Sequence, residues 1–162
     1  DLNALYTSHP ALWRLDNDPR GFQWINADDA SRNTYSWVRR DGEGQQIAVV
    51  VNFSSEPWYD YQLGLPETGT WTEILNSDST IYDGSGIGNF GGVVATEGSW
   101  AGHPAHAFVQ VPPLGAVFFR LDRPQADPVA EPVEAAQPRR AADVDTPYLT
   151  RPQERADVEA SE

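Results

Sequence analysis

Between Thr34 and Leu121 the chain reads as short β-branched and aromatic segments punctuated by Gly and Pro, with no helical apolar period between them. TYSWVRR (34–40) alternates and places Tyr35, Trp37 and Arg39 on one face. DGEG (41–44) then supplies hairpin-turn chemistry. IAVVVNF (47–53) is an unbroken apolar run, which suits a central strand covered on both faces. YDYQLGL, WTEIL, GGVVATE, AFVQV and AVFFRL come next, divided at Pro66, Gly69, Gly84–Gly92, Gly102 and Pro112–Pro113. Strands at this spacing without crossover helices predict an all-β fold, an antiparallel β-sandwich.

The two ends differ from this body. Leu2, Leu5 and Tyr6 recur at helical spacing and PALW (10–13) suits one further turn, so a short helical segment is expected only at the N-terminus. The chain contains no Met, and DLNALY reads as though it enters a helix already under way. The expectation is therefore a piece of something longer. All 13 glycines and all six tryptophans precede Arg123. Residues 124–162 hold six prolines, many acids and alanines, and one aromatic, Tyr148. Such a segment cannot bury enough apolar surface to offset its ordering entropy, and a disordered acidic Pro/Ala tail is expected there. A solvated tail is preferred to one that recruits a partner.

Composition excludes several function classes. A net charge of −13 disfavours nucleic acid and anionic membrane as partners. Without Cys there is no disulfide framework, thiolate metal site or thiol nucleophile, and a cytoplasmic location is expected. No apolar run approaches the roughly 20 residues of a membrane-spanning helix.

Individual motifs stand or fall by their context. Gly86, Gly88 and Gly91 spell the G-x-G-x-x-G of a pyrophosphate loop. They lead into VVATE, a strand, where a dinucleotide site needs a long helix, and no acid stands about 20 residues on to hold a ribose. The glycines therefore read as a winding inter-strand loop. DNDPRG (16–21) begins like a calcium loop, but position 5 would be Arg20 and position 12 Ala27. His103 and His106 are expected in a Pro-Gly loop, with only His9 as a third histidine, so no metal is predicted. Asn52-Phe53-Ser54 matches a glycosylation sequon yet closes a buried strand. Asp28/Asp29 and Asp78/Asp83 lack any sign of the opposed, desolvated pairing that acid–base chemistry requires. No catalytic residue and no cofactor is expected. The aromatics say more: Trp58 and Tyr59 succeed Glu56-Pro57 in an expected loop, and Trp24 lies after Gly21-Phe22 just before the expected first strand. An indole face in a loop suits stacking on the apolar face of a sugar ring.

The order of motifs adds a resemblance. DLNALY, PALW, DNDPRGFQWI, VRRDGEG, VVVNFS, YQLGLPETGTWTEILNSDSTIYDGSGIGN and VPPLGAVFF succeed one another over residues 1–123. In this the chain resembles the C-terminal part of the bacterial 1,4-α-glucan (glycogen) branching enzymes of the α-amylase superfamily; the tail carries no such likeness. The resemblance implies a parent that cuts an α-1,4 glucan and transfers the chain to a 6-hydroxyl, retaining configuration through a covalent glycosyl-enzyme. It implies that residues 1–21 are the end of the catalytic (β/α)8 barrel's last helix and a linker, residues 22–123 the C-terminal all-β domain, and 124–162 the tail. The implied partners are that barrel and α-glucan, with Trp24 the leading glucan contact, Trp58 and Tyr59 further candidates, and catalysis absent from this chain alone. The alternative is a free-standing carbohydrate-binding module. A barrel-docking domain predicts an exposed apolar patch, whereas a free module predicts a row of coplanar exposed aromatics.

Overall fold

The computed structural model describes residues 1–123; the expected disordered tail, 124–162, lies outside the described residues. A seven-residue helix α1 (Leu2–Ser8) opens the chain, and a 3-10 turn at Pro10–Leu12 comes after it, with Pro at its first position where no N–H is needed. A second 3-10 turn, Pro19–Gly21, is capped by Asp18, which accepts the Arg20 N–H at 2.9 Å. Arg20 also grips that carboxylate with its guanidinium, and the pairing holds Asp18 at about 2. The supposed calcium loop is thus a self-satisfied turn.

The body has eight strands: β1 (Phe22–Asp29), β2 (Thr34–Arg40), β3 (Gln46–Asn52), β4 (Trp58–Leu65), β5 (Gly69–Asn76), β6 (Gly92–Trp100), β7 (His103–Val111) and β8 (Ala116–Leu121). All pairings are antiparallel, in the order β1-β2-β3-β8-β5-β6-β7-β4. The sheet doubles over within β6. Gly92–Ala95 pair with β5, whereas Thr96, Glu97 and Trp100 pair with β7. One layer is therefore β1-β2-β3-β8-β5 and the other β7-β4, with β6 passing from the first to the second.

The core lies between the layers and is built by alternation. Val38, Ala48, Val50, Val117 and Phe119 face it from the first layer, and Leu63, Leu65, Ala105, Ala107, Val109 and Val111 from the second. Trp71, fully buried, fills the centre and satisfies its indole N–H on the Glu67 carbonyl at 3.2 Å. β3 is buried on both faces, as its continuous apolar run implies. The DGEG turn is held by the Asp41 carboxylate, which accepts the N–H groups of Glu43, Gly44 and Gln45 at 2.8–2.9 Å.

Three local expectations need correction. Trp24 does not precede the first strand but lies within β1. Trp58 and Tyr59 open β4 and are not loop residues. His103 and His106 lie in β7, not in a loop.

Candidate functional site

Strand alternation places a continuous apolar row on the outward face of the first layer. Trp24 is paired with Trp37, Trp37 with Val49, and Val49 with Phe118, so four strands contribute one residue each to a single cross-strand line. Phe22, Tyr35 and Phe53 flank it. The rings touch as a chain: Phe22–Trp24 at 5.0 Å, Trp24–Trp37 at 6.1 Å, Trp24–Tyr35 at 6.3 Å and Tyr35–Phe53 at 5.8 Å. Interplanar angles in these pairs run from 51° to 90°, and only Phe22 and Trp37 lie near parallel, at 26°. Edge-to-face packing fixes the rings against one another and does not present them as one flat platform.

The chain's own N-terminal segment covers part of this face. Ala11 is buried with Ile47 and Val49, and Leu12 packs beside them. Arg39, also outward on β2, donates to the carbonyls of Ala11 at 3.4 Å and Leu12 at 3.1 Å and pairs with Asp16. Gln45 adds an acceptor for the Ala11 N–H at 2.9 Å. An apolar groove of about 320 Å³ remains between α1 and the sheet, walled by Leu2, Tyr6, Leu12, Trp37, Val49 and Phe118. Beyond it the face is open, with Trp24 49% and Phe53 56% exposed.

The three aromatic candidates have different surroundings. Trp24 sits in the open row. Trp58 is half-buried against the core, its indole N–H donated to the Arg32 carbonyl at 3.2 Å. Tyr59, its neighbour, is 59% exposed. The aromatic neighbours of Trp24 are Phe22, Tyr35 and Trp37, not Trp58 or Tyr59. Sequence reasoning finds the β2 face but misses its union with Phe22 and Phe53; the available signal is the two-residue period of FQW once that stretch is a strand.

The remaining motifs are occupied by structure. In the glycine loop, Asp78 fills the place an anion would take. Its carboxylate accepts the Ser85 N–H at 3.0 Å, the Ser85 hydroxyl at 2.6 Å and the Ile87 N–H at 3.1 Å, while its carbonyl accepts the Gly86 N–H at 2.8 Å. Partial burial pushes Asp78 up, but these hydrogen bonds outweigh it and leave the group below the usual carboxylate value. Gly84 admits no side chain because a Cβ would overlap the Asp78 carbonyl. Asn89 ties the loop down by bonding Glu73 on β5 and Gln110 on β7. The backbone amides are committed internally, which disfavours a phosphate reading.

His103 and His106 project to opposite faces of β7, as their odd spacing on a strand dictates. His103 is buried, and burial lowers it, a contact to the Trp24 backbone opposing the shift. His106 bonds the Gly98 carbonyl at 2.9 Å. Asn52 is buried, and its amide donates to the carbonyls of Glu56 at 2.8 Å and Pro112 at 3.0 Å, leaving no free nitrogen for a glycan. Asp29 is spent on its own hairpin, accepting from Ser31, Arg32 and Thr34.

Comparison with known proteins agrees with this architecture. Residues 24–122 match the family described as alpha amylase, C-terminal all-beta domain. The chain is 50% identical over 123 residues to a 1,4-alpha-glucan branching enzyme GlgB of Leifsonia xyli subsp. xyli, an alignment covering 76% of this chain and 17% of that protein. A protein of the same name from Rhodococcus jostii gives 50% over 123 residues, again 76% and 17%, and one from Mycobacterium bovis BCG 49% over 119 residues, 74% and 16%. The chain thus spans about a sixth of the length of these relatives.

Proposed function

Because the chain belongs to the alpha amylase C-terminal all-beta domain family, we propose that it serves as the C-terminal accessory domain of a 1,4-alpha-glucan branching enzyme. In this reading residues 1–21 end the catalytic barrel and link it to the sandwich of residues 22–123, and the whole acts in the cytoplasm. The domain buttresses the barrel and carries no branching activity alone; the parent's two carboxylates act from the barrel. The carrying observation is the apolar row Trp24–Trp37–Val49–Phe118, half covered by the N-terminal segment and otherwise open. A face of this kind suits a protein interface, and its edge-to-face rings suit packing more than a sugar platform. In this reading Trp24, the most exposed indole of the row, is the candidate to meet glucan at the margin of that interface; its exposure supports the choice. Trp58 is the weaker candidate because its indole is already satisfied.

A chimera tests the reading. This chain replaces the matched segment of the Leifsonia xyli enzyme, and branching is monitored by the loss of iodine staining of amylose. The expected result is an active chimera that Phe53→Arg, an exposed change on the docking face, destabilises while leaving the isolated chain folded. A soluble chimera that is active and indifferent to Phe53→Arg refutes docking through this face. No retardation of the isolated chain in a glycogen affinity gel would remove the alternative, a free-standing carbohydrate-binding module.

A further inference from the structure

A second concavity lies away from the aromatic row, where the end of β1 and the β1–β2 hairpin approach β4. It is a cleft of about 210 Å³ lined by Asn26, Asp60, Gln62, Arg32, Trp100 and Phe108, with two further acids and the Tyr61 ring. Its construction is specific. Gln62 and Phe108 are direct cross-strand partners on β4 and β7. Trp100 is brought alongside because Gly64 on β4 has no side chain; a Cβ there would collide with the Trp100 carbonyl. Arg32 is fixed in place by Asp29 at 3.4 Å, and its guanidinium lies 5.9 Å from the Tyr61 ring centre. Tyr61 is itself buried and accepts from Thr34 at 3.2 Å.

The chemistry of the lining selects a class of ligand. Two aromatic rings are left open to solvent, Trp100 at 44% and Phe108 at 60%. Around them stand the Asp60 carboxylate and the Gln62 amide, which make no hydrogen bond within the described residues. An anion is disfavoured, because three carboxylates face one guanidinium. A bound metal is disfavoured too, because among the described residues no three ligating groups converge. A neutral polyol uses both kinds of wall: its C–H face covers an aromatic ring and its hydroxyls donate to carboxylate and amide oxygens. The volume lies below the roughly 300 Å³ at which pockets for drug-sized ligands begin, so it suits a sugar ring or two and not a larger planar ligand.

We infer that this cleft is a glucan subsite, holding one or two glucosyl residues of an α-1,4 chain between Trp100 and Phe108, with Asp60 and Gln62 reading hydroxyls. It is separate from the Trp24 row, so a domain docked through that row keeps this cleft free to hold a chain at a distance. The choice of glucan over other polyols rests on the branching-enzyme reading; the cleft's preference for a neutral sugar does not.

The full chain is titrated with maltoheptaose and monitored through its indole N–H signals by two-dimensional NMR, one for each of six tryptophans. The Trp100 signal, identified by its loss in Trp100→Phe, is expected to move on titration. Trp100→Ala and Phe108→Ala are each expected to weaken binding about tenfold, the scale of one lost ring face, and Asp60→Asn by a smaller factor. Both rings are exposed, so these variants keep the fold, checked by an unchanged Trp71 indole signal. No movement of the Trp100 signal at 10-fold excess over about 1 mM, a range that covers weak sugar contacts, overturns the inference. So does a response to calcium ion alone with none to maltoheptaose. Movement of the Trp24 signal only would leave the branching-enzyme reading standing and remove this subsite, whereas inactivity of the Leifsonia xyli chimera would remove that reading, and with it the choice of glucan, and leave the neutral-sugar cleft in place.

Discussion

The glycine loop makes a sharp prediction, because one carboxylate gathers its first half. Asp78→Ala removes an acceptor that serves the Ser85 N–H, the Ser85 hydroxyl and the Ile87 N–H. Each hydrogen bond to a charged acceptor contributes about 1.5–3 kcal/mol when buried. Asp78 is only partly buried, so water replaces much of that, and the expected loss is about 2 kcal/mol in total. With a urea m-value of about 2 kcal/mol/M, the midpoint of the full chain moves down by about 1 M. Asp78→Asn keeps one acceptor oxygen and should fall between. The effect must also depend on pH. The folded value lies below the ordinary 3.8, so the unfolded chain takes up the proton first. The part that depends on the charge is complete above the unfolded value, is lost as pH falls from there through the lower folded value, and is absent below it. Urea titrations read by tryptophan fluorescence at pH 7 and at successive steps below pH 4 check both parts. An Asp78→Ala midpoint equal to wild type at pH 7, or a difference that does not shrink as Asp78 is protonated, refutes the claim that this carboxylate is the loop's internal anion.

Further outcomes depend on burial and position. Trp71→Ala should cost about 3–5 kcal/mol and leave the chain largely unfolded, whereas Trp24→Ala, half exposed, should cost less than about 1 kcal/mol; thermal melts compare them. His103 is lowered chiefly by burial, so the unfolded chain protonates before the folded one. Stability should therefore hold above about pH 6.5 and decline below it, a decline that His103→Gln reduces when urea midpoints are measured between pH 7 and pH 5.

Much of the fold was legible because the inward face of each strand carries the period of two. β2, β3 and β8 could be read from Thr34–Arg40, Ile47–Phe53 and Ala116–Leu121 because the β2–β3 and β3–β8 ladders run without interruption and the one shift against β8 falls on β5. The misread elements are those whose pairing is broken. β1 carries register shifts between Trp24 and Asn26 and again before Asp29, so FQWINADD never alternates cleanly. β4 has a shift between Trp58 and Tyr61, which hides its start behind Pro57. In β7, Pro104 falls where pairing with β6 is interrupted between Ala105 and His103, so a residue without an N–H is tolerated inside a strand. The candidate site was legible only in part. Trp24 could be singled out, but its union with Trp37 and Val49 depends on register across two hairpins, which local sequence does not specify.

A two-layer sandwich is complete once its inward positions are filled, and nothing in that closure calls for tryptophan and phenylalanine on an outward row. Polar β-formers such as Thr or Gln would hold the same strands at lower solvation cost. α1 sharpens the point. It has seven residues, none of them buried, and its Leu2 and Tyr6 stay largely exposed where they wall the groove against Trp37, Val49 and Phe118. Isolated helices shorter than about 12–15 residues are marginal in water, so a helix of this length depends on packing that the unfilled groove supplies only in part. A body that covers both the apolar side of α1 and the open aromatics would supply it. A free-standing binding module offers no reason for a helix that stands over an unfilled apolar groove. A domain continuous with a neighbouring helical barrel does, and this asymmetry favours the accessory-domain reading over the module.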